Sequence, residues 1–138
     1  MSRKILIADD EPSIVTALEF LLQRAGYEVR IARDGDQTLE LVDAYDPDLV
    51  LLDVMMPRKS GYEVCTRIRQ RPDRRHVKII MLTAKGRDAE VSKGLALGAD
   101  LYVTKPFSTR DLMAKIKELL DLGREGAPGG RAGGTGDG

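Results

Sequence analysis

The chain of 138 residues has almost none of the side chains that bind transition metals. Cys65 is its only cysteine and His76 its only histidine. A single cysteine excludes a disulfide within the chain and a cysteine-based zinc site, and a single histidine excludes a histidine-cluster metal site. Any metal bound here must therefore be a hard cation held by oxygen ligands.

Net charge and long apolar runs are also missing. Lysine and arginine total 22 and aspartate and glutamate total 22, so no excess of positive charge attracts nucleic acid or anionic membranes. The first apolar run, 5–8, is too short for a signal peptide, and no later run could span a membrane. We expect a cytoplasmic protein with one core-forming domain and no membrane contact.

The most informative stretch runs from Leu49 to Pro57, where four apolar residues lead into Asp53 and a Met-Met-Pro turn. A continuous apolar run bounded by turn signals is typical of a strand buried on both faces of a parallel sheet. Ligands of open α/β sheets bind just outside the carboxyl ends of the strands. Asp53 is thus a candidate for chemistry, although on this stretch alone it could equally be an ordinary polar residue ending a strand.

Strand and helix patterns alternate five times along the chain. Strands are predicted at 5–8, 28–32, 49–52, 77–82 and 101–104, and each is followed by a helical pattern. The first helix opens at Pro12, with a predicted buried stripe of Ile14, Leu18, Leu21, Leu22 and Ala25. Ser108 with Asp111 makes a capping-box-like start to the last helix. This alternation predicts an α/β fold, a parallel sheet covered by helices on both faces.

The pattern ends at Leu122. Residues 123–138 are dominated by glycine and contain no large apolar side chain. Such a segment buries too little apolar surface to offset its ordering entropy. We therefore predict a domain over residues 1–122 and a disordered tail over 123–138.

Polar side chains stand at the carboxyl ends of four of the predicted strands. They are Asp9 and Asp10, Asp53, Thr83 and Lys105. In a parallel sheet these ends share one edge, so three carboxylates should crowd together. Two unit charges about 4 Å apart repel by roughly 4 kcal/mol at an effective dielectric of 20. The cluster must take up protons or a divalent cation, and few protein oxygens with room for water favour Mg²⁺ over Ca²⁺.

This set of groups suits phosphoryl transfer. Asp53 would be a carboxylate nucleophile that forms an acyl phosphate, with Mg²⁺ on Asp9, Asp10 and Asp53. Lys105 would supply a positive charge and Thr83 a hydroxyl donor to the phosphoryl oxygens. Each residue could separately be a polar strand end, but five such residues at four strand ends are hard to explain that way.

The same residues resemble a known family. The acidic pair 9–10 with Glu11, the 53–57 turn with Gly61, Thr83-Ala84, and the segment 98–107 (GADLYVTKPF) are together similar to the receiver domains of two-component response regulators, in particular to stand-alone chemotaxis-type (CheY-like) regulators. The resemblance runs from about Lys4 to Leu122. It implies a flavodoxin-like (βα)5 fold, doubly wound, with strand order 2-1-3-4-5.

The resemblance also implies roles for particular residues. Asp53 would be phosphorylated by a sensor histidine kinase or a histidine phosphotransfer protein. The Lys105–Pro106 bond would be cis, and Met55 would give Mg²⁺ its backbone carbonyl. Thr83 with Tyr102 would form the switch pair, in which Thr83 moves toward the phosphoryl group while the Tyr102 ring turns inward. From the residues alone, Tyr102 is simply a half-buried aromatic side chain of a strand.

The output implied by the family is a protein contact through the fourth helix, fifth strand and fifth helix, about residues 87–122. A phosphorylation-dependent homodimer through this face is an alternative. We expect no direct DNA binding, because no helix-turn-helix pattern follows Leu122. The positions that tune phosphoryl lifetime in the family are Met55 and Lys85 here. Since a methionine cannot orient an attacking water, we expect slow self-dephosphorylation.

Three other functions are weighed against this one. An aspartyl-nucleophile phosphatase would need a second carboxylate two residues after Asp53, where Met55 stands. A receiver fold that acts only as an interaction or dimerisation module would normally lack one of the acidic, threonine or lysine groups. A nucleotide-binding protein would need a glycine-rich loop after the first strand, and this chain has none there.

Overall fold

The short apolar runs form the five strands of one parallel sheet. The computed structural model of the protein describes residues 2–84 and 88–125. Its strands are β1 Lys4–Ala8, β2 Glu28–Ala32, β3 Leu49–Asp53, β4 Lys78–Thr83 and β5 Leu101–Thr104. Their order across the sheet is β2-β1-β3-β4-β5, and all neighbours pair in parallel. The predicted α/β fold and strand order are confirmed.

Five α-helices separate or follow these strands within the described residues. They are α1 Pro12–Arg24, α2 Gly35–Tyr45, α3 Gly61–Arg69, α4 Asp88–Ala96 and α5 Thr109–Glu125, with a 3-10 turn at Pro72–Arg74. Side-chain oxygens cap the starts of α2 and α3: Asp34 accepts from the backbone N–H of Gln37, and Ser60 from that of Glu63. Such caps satisfy backbone donors that a helix leaves unpaired at its first turn.

The sheet is buried on both faces, as expected for a doubly wound fold. On one face, alternate residues of the strands pack with Val42 of α2 and Val64 and Ile68 of α3 in a single apolar cluster. The intervening residues of the central strands, such as Ile7 and Leu51, are also fully buried. Burial on both faces explains why β1, β3 and β4 are continuous apolar runs while β2, at the sheet edge, alternates.

The buried stripe of α1 differs from the predicted one. Leu18 and Leu22 are buried as expected, but the third buried residue of α1 is Val15, whereas Ala25 is exposed. The helix ends at Arg24, so Ala25 is its C-cap and no longer follows the helical periodicity. The stripe is set by where the helix ends as well as by its 3.6-residue period.

The chain divides after Phe107 into two units, and the first contains all five strands. The second unit contains α5, whose first turn is capped by Ser108 Oγ, which accepts from the backbone N–H of Asp111 at 3.1 Å. The helix continues to Glu125, three residues past the predicted end of the domain. The predicted tail lies, beyond that helix, outside the described residues. Within 2–84 and 88–125, every helix is too short or too polar to cross a bilayer.

Candidate functional site

Three carboxylates meet at the carboxyl edge of the sheet. Asp9 and Asp10 follow β1, and Asp53 is the last residue of β3, which pairs directly with β1. One oxygen from each carboxylate lies within 4.8 Å of the others. Asp9 is 0% exposed and Asp53 4%, whereas Asp10 is open to solvent. Two of the three negative charges are thus held out of water, which is costly unless a cation is near.

Lys105, which directly follows β5, supplies that positive charge. Its Nζ lies 3.1 Å from Asp9 Oδ2, 3.1 Å from Glu11 Oε1 and 3.7 Å from Asp53 Oδ2. Its backbone N–H donates to the carbonyl of Thr83 at 2.7 Å, and the Lys105–Pro106 peptide bond is cis, as the family resemblance implies. Burial lowers the pKa of Lys105, but its hydrogen bonds to Asp9 and Glu11 outweigh burial, so the net shift is upward. The side chain therefore keeps its charge at neutral pH.

The single positive charge of Lys105 does not balance the three carboxylates, and the pKa of Asp53 is raised. Burial, together with the charges of Asp9 and Asp10, raises the pKa of Asp53 to about 6. The backbone N–H of Met55, which donates to Asp53 Oδ1 at 3.1 Å, and the Lys105 charge oppose this rise. Burial is the main cause of this rise, and among the described residues Lys105 does not fully offset the neighbouring carboxylates.

The loop that follows β3 is held tightly against the end of the strand. A Cβ on Gly61 would lie 2.5 Å from the carbonyl oxygen of Asp53, so only glycine fits where α3 begins. Two residues before Gly61, Lys59 Nζ donates to Asp36 Oδ1 of α2 at 2.5 Å. Earlier in the loop, the side chain of Met55 is 58% exposed. Its backbone carbonyl belongs to the residue two positions after Asp53, where the family resemblance implies a metal ligand.

The predicted switch residues lie on β4 and β5. Thr83 is the buried last residue of β4 and pairs in register with Thr104. Tyr102 is half-buried, and its hydroxyl lies 3.3 Å from that of Tyr62 on α3. Lys85, predicted to tune phosphoryl lifetime, lies outside the described residues.

Three polar residues near the site were not singled out from the sequence as site residues. Glu11 contacts Lys105, and Tyr62 and Glu90 contact each other and, through Tyr62, Tyr102. Glu11 directly follows the acidic pair, which is a usable signal. Tyr62 and Glu90 lie on two helices 28 residues apart, and nothing in their spacing predicts the contact.

The donor set fits a hard divalent cation. Three carboxylates from two adjacent strands converge, one of them open to solvent, and all offer oxygen. Oxygen ligands with room for water are the environment that Mg²⁺ prefers. Burial first, and the negative charges of Asp9 and Asp10 second, account for the raised pKa of Asp53.

Comparison with known proteins shows which family the chain matches. A family model described as the response regulator receiver domain matches residues 5–117. The chain belongs to the response regulator receiver family. The receiver domain protein (CheY-like) of Methanospirillum hungatei JF-1 has a similar structure, with a TM-score of 0.85 and 33% identity over 91% of this chain and 98% of that one. The BeF3-activated N-terminal receiver domain of Klebsiella pneumoniae RstA is also similar, with a TM-score of 0.80, 30% identity, and coverage of 86% and 98%.

One relative is longer than this chain and aligns with most of it. The alkaline phosphatase synthesis transcriptional regulatory protein PhoP of Bacillus subtilis (strain 168) is 46% identical over 128 residues, which is 93% of this chain and 52% of PhoP. The chain therefore spans about half the length of this relative. Receiver domains of response regulators interact with histidine kinases.

Proposed function

We propose that this receiver is a phosphorylation switch, not an enzyme, in which Asp53 accepts a phosphoryl group with the help of Mg²⁺. The donor is a phosphohistidine on a sensor histidine kinase or a histidine phosphotransfer protein. The observation that carries the proposal is the position of Asp53: a nearly buried carboxylate in an acidic cluster, 3.7 Å from a lysine ammonium. A purely structural aspartate would gain nothing from two acidic neighbours.

The transfer is a displacement at phosphorus. An Asp53 carboxylate oxygen forms a bond to phosphorus as the P–N bond to the donor imidazole breaks, and the bonding pair leaves with the imidazole nitrogen. The pKa of about 6 keeps Asp53 mostly ionised at neutral pH, so it remains a nucleophile. Lys105 and the Thr83 hydroxyl then bind the phosphoryl oxygens, which supplies electrostatic stabilisation and orientation.

Asp9, Asp10, Asp53 and the backbone carbonyl of Met55 would hold the Mg²⁺. When bound, the ion offsets the charge of the incoming phosphoryl oxygens. Asp10 is open to solvent, which leaves access for water ligands and a phosphodonor on that side of the cluster.

The output in this proposal is a protein contact through α4, β5 and α5, about residues 87–122. Phosphorylation adds roughly −1.5 to −2 charges to the Asp53 site and biases two arrangements of Thr83 and Tyr102. A phosphorylation-dependent homodimer through this face is the alternative contact. The proposal includes a cytoplasmic location and no direct binding of DNA or membrane by this domain.

The likeness to PhoP favours a second output. Because that relative is a transcriptional regulatory protein nearly twice as long, this receiver would regulate a linked effector rather than a separate partner. The size of the protein in cell extracts, detected with an antibody against residues 1–122, separates the two. A species near 15.2 kDa supports the stand-alone output, and one about twice as large supports the linked effector.

Intact-mass analysis after incubation with acetyl phosphate tests the phosphorylation. Wild type should gain one acid-stable, base-labile phosphoryl group with Mg²⁺ and none with EDTA. Asp53→Ala should gain none under either condition, because the acceptor oxygen is missing. An adduct that forms equally in Asp53→Ala, or no adduct on wild type, would contradict the proposal and favour an interaction module.

A second measurement concerns the lifetime of that adduct. Met55→Asn combined with Lys85→Glu should shorten it several-fold, because an amide and a carboxylate can orient an attacking water that methionine cannot. The exposed side chain of Met55 makes the first substitution structurally mild. Decay followed by mass spectrometry at fixed Mg²⁺ gives the result, and equal lifetimes in wild type and variant would refute the expectation.

A further inference from the structure

Three polar side chains from three different elements form a chain of contacts beside the switch strand. Tyr62 lies on α3, Glu90 on α4 and Tyr102 on β5. The Tyr62 hydroxyl donates to Glu90 Oε1 at 2.7 Å, and the hydroxyls of Tyr62 and Tyr102 are 3.3 Å apart. The fold therefore connects the switch tyrosine to both neighbouring helices through one hydroxyl group.

The direction of the two hydrogen bonds follows from the number of protons. A tyrosine hydroxyl has one proton to donate and can accept through its oxygen. Since Tyr62 donates its proton to the Glu90 carboxylate, which can only accept, its oxygen is the acceptor for Tyr102. Burial, with the contacts to Tyr102 and Glu90, raises the pKa of Tyr62 well above its usual range, so the proton stays in place.

The Tyr102 ring occupies a space that α4 leaves open for it. A Cβ on Gly94 would lie 2.7 Å from Cδ2 of the Tyr102 ring and 2.9 Å from the sulfur of Met81. Gly94 lies inside α4, where glycine is otherwise unfavourable. The ring thus packs against bare helix backbone and points inward, towards the apolar cluster on that face of the sheet.

A cation over the other tyrosine adds to this arrangement. Lys93 Nζ of α4 lies 4.4 Å from the centre of the Tyr62 ring, within the range of a cation–π interaction. Two contacts from α4, those of Glu90 and Lys93, therefore fix Tyr62 at its hydroxyl and at its ring face. With its hydroxyl and its ring both held, Tyr62 presents its oxygen in a fixed position to accept from the Tyr102 hydroxyl.

We propose that Tyr62 is a positioning residue of the switch: together with Glu90 it holds Tyr102 inward before any phosphoryl group is present. The inference rests on the proposed function only in taking Tyr102 as the switch residue. It follows that the unphosphorylated chain already favours the inward arrangement of the Tyr102 ring. Phosphorylation therefore increases the inward population by a smaller factor.

Substitutions that remove single hydrogen-bonding groups test this. Tyr62→Phe removes the acceptor for Tyr102 but keeps the ring, and Glu90→Ala removes the group that orients Tyr62. Glu90→Gln keeps an acceptor oxygen, and Tyr27→Phe is a matched control that removes a hydroxyl just before β2. The chain has only four tyrosines, so ring-labelled tyrosine gives resolvable NMR spectra of the unphosphorylated full chain.

The readout is the nuclear Overhauser effect between the Tyr102 ring and the Hα protons of Gly94. We expect it to be strong in wild type, Glu90→Gln and Tyr27→Phe, and several-fold weaker in Tyr62→Phe and Glu90→Ala. A wild-type intensity in both of the last two variants would overturn the proposal. So would its absence from wild type, or equal loss in Glu90→Gln and Glu90→Ala.

The rate of phosphorylation by acetyl phosphate with Mg²⁺ separates this proposal from the proposed function. If the inward arrangement is the reactive one, the rate of Tyr62→Phe should fall by the factor by which its inward population falls, with the same final extent. A weakened Overhauser effect with an unchanged phosphorylation rate would show that the position of the Tyr102 ring does not affect the reactivity of Asp53. That result would overturn the role of Tyr62 in the switch. Wild type that takes up no phosphoryl group would contradict the proposed function alone, because the Overhauser measurement uses no phosphodonor.

Discussion

Asp53→Asn should increase the free energy of unfolding by about 2–3 kcal/mol at pH 7.5 in metal-free buffer. Asp53 is 4% exposed, and burial raises its pKa from 3.8 to about 6. Ionised Asp53 is therefore a cost that the folded state bears and the unfolded chain does not. An asparagine keeps the acceptor for the Met55 backbone N–H but carries no charge.

The pH dependence has a definite sign. Between about 4 and 6 the folded state of wild type binds more protons at Asp53 than the unfolded state does, so this group lowers stability as pH rises through that window. Above pH 6 the cost is complete, and below pH 4 it is absent. The gain of Asp53→Asn should accordingly be largest at pH 7.5 and vanish near pH 3.5.

Urea unfolding followed by circular dichroism, in EDTA, measures this difference. Asp73→Asn, at an exposed aspartate of the 3-10 turn, is the matched control and should change stability little at either pH. Equal stability of Asp53→Asn and wild type at pH 7.5 would show that the acidic cluster carries no folding cost.

A site that costs stability is informative about function. A neutral side chain at the end of β3 would make the folded state more stable, yet the chain places a carboxylate there beside two others. Local violations of good packing and charge balance are expected at functional sites. Mg²⁺ binding would reduce this cost, so the predicted cofactor and the predicted instability have one physical cause.

Sequence patterns predicted the edge at which the site forms. Runs of apolar residues gave the strands, and parallel strands bring their carboxyl ends to one edge. It follows that Asp9, Asp53 and Lys105 converge, although Lys105 lies 96 residues from Asp9. This inference needed only secondary structure and strand direction, which short-range patterns carry. The strand order itself came from the family resemblance.

Contacts between helices were beyond such patterns. Tyr62 and Glu90 meet because α3 and α4 approach at one particular angle and distance, which periodicity does not specify. The same holds for the buried stripe of α1, where Val15 is buried while the predicted Ile14 and Leu21 are only half-buried. Side-chain pairs across elements depend on packing, and packing is set by the whole core.

Lys105→Met should have the opposite effect to Asp53→Asn, with a loss of about 3 kcal/mol at pH 7.5 in EDTA. Methionine matches the length of the lysine stem but leaves the fully buried Asp9 without its 3.1 Å partner and Asp53 without the ammonium 3.7 Å away. Removing one member of a buried ion pair leaves an uncompensated charge in a medium of low dielectric. The Lys105 side chain is 13% exposed, so solvent replaces its charge poorly.

Acid and Mg²⁺ should both reduce this loss. Because the pKa of Lys105 is raised, its contribution is complete below its ordinary value of 10.5 and does not change between pH 4 and 8. Any pH dependence of the loss in that range comes from the carboxylates, which protonate once the lysine is gone. Lys59→Met is the control. Because the partner of Lys59, Asp36, is partly exposed, this substitution should lower the free energy of unfolding much less than Lys105→Met does. Wild-type stability of Lys105→Met in EDTA would contradict the prediction.

The double variant Lys105→Met/Asp53→Asn shows which carboxylate the lysine mainly balances. If Lys105 chiefly offsets Asp53, the asparagine removes the charge that the methionine exposed, and the double variant should approach the stability of Asp53→Asn. If Lys105 chiefly offsets Asp9, the gain and the loss should simply add, and the double variant should lie near wild type. The distances, 3.1 Å to Asp9 and 3.7 Å to Asp53, predict a coupling energy of about 1 kcal/mol, between these limits. A lysine shared in this way can shift from Asp53 to a phosphoryl oxygen while keeping its contact with Asp9.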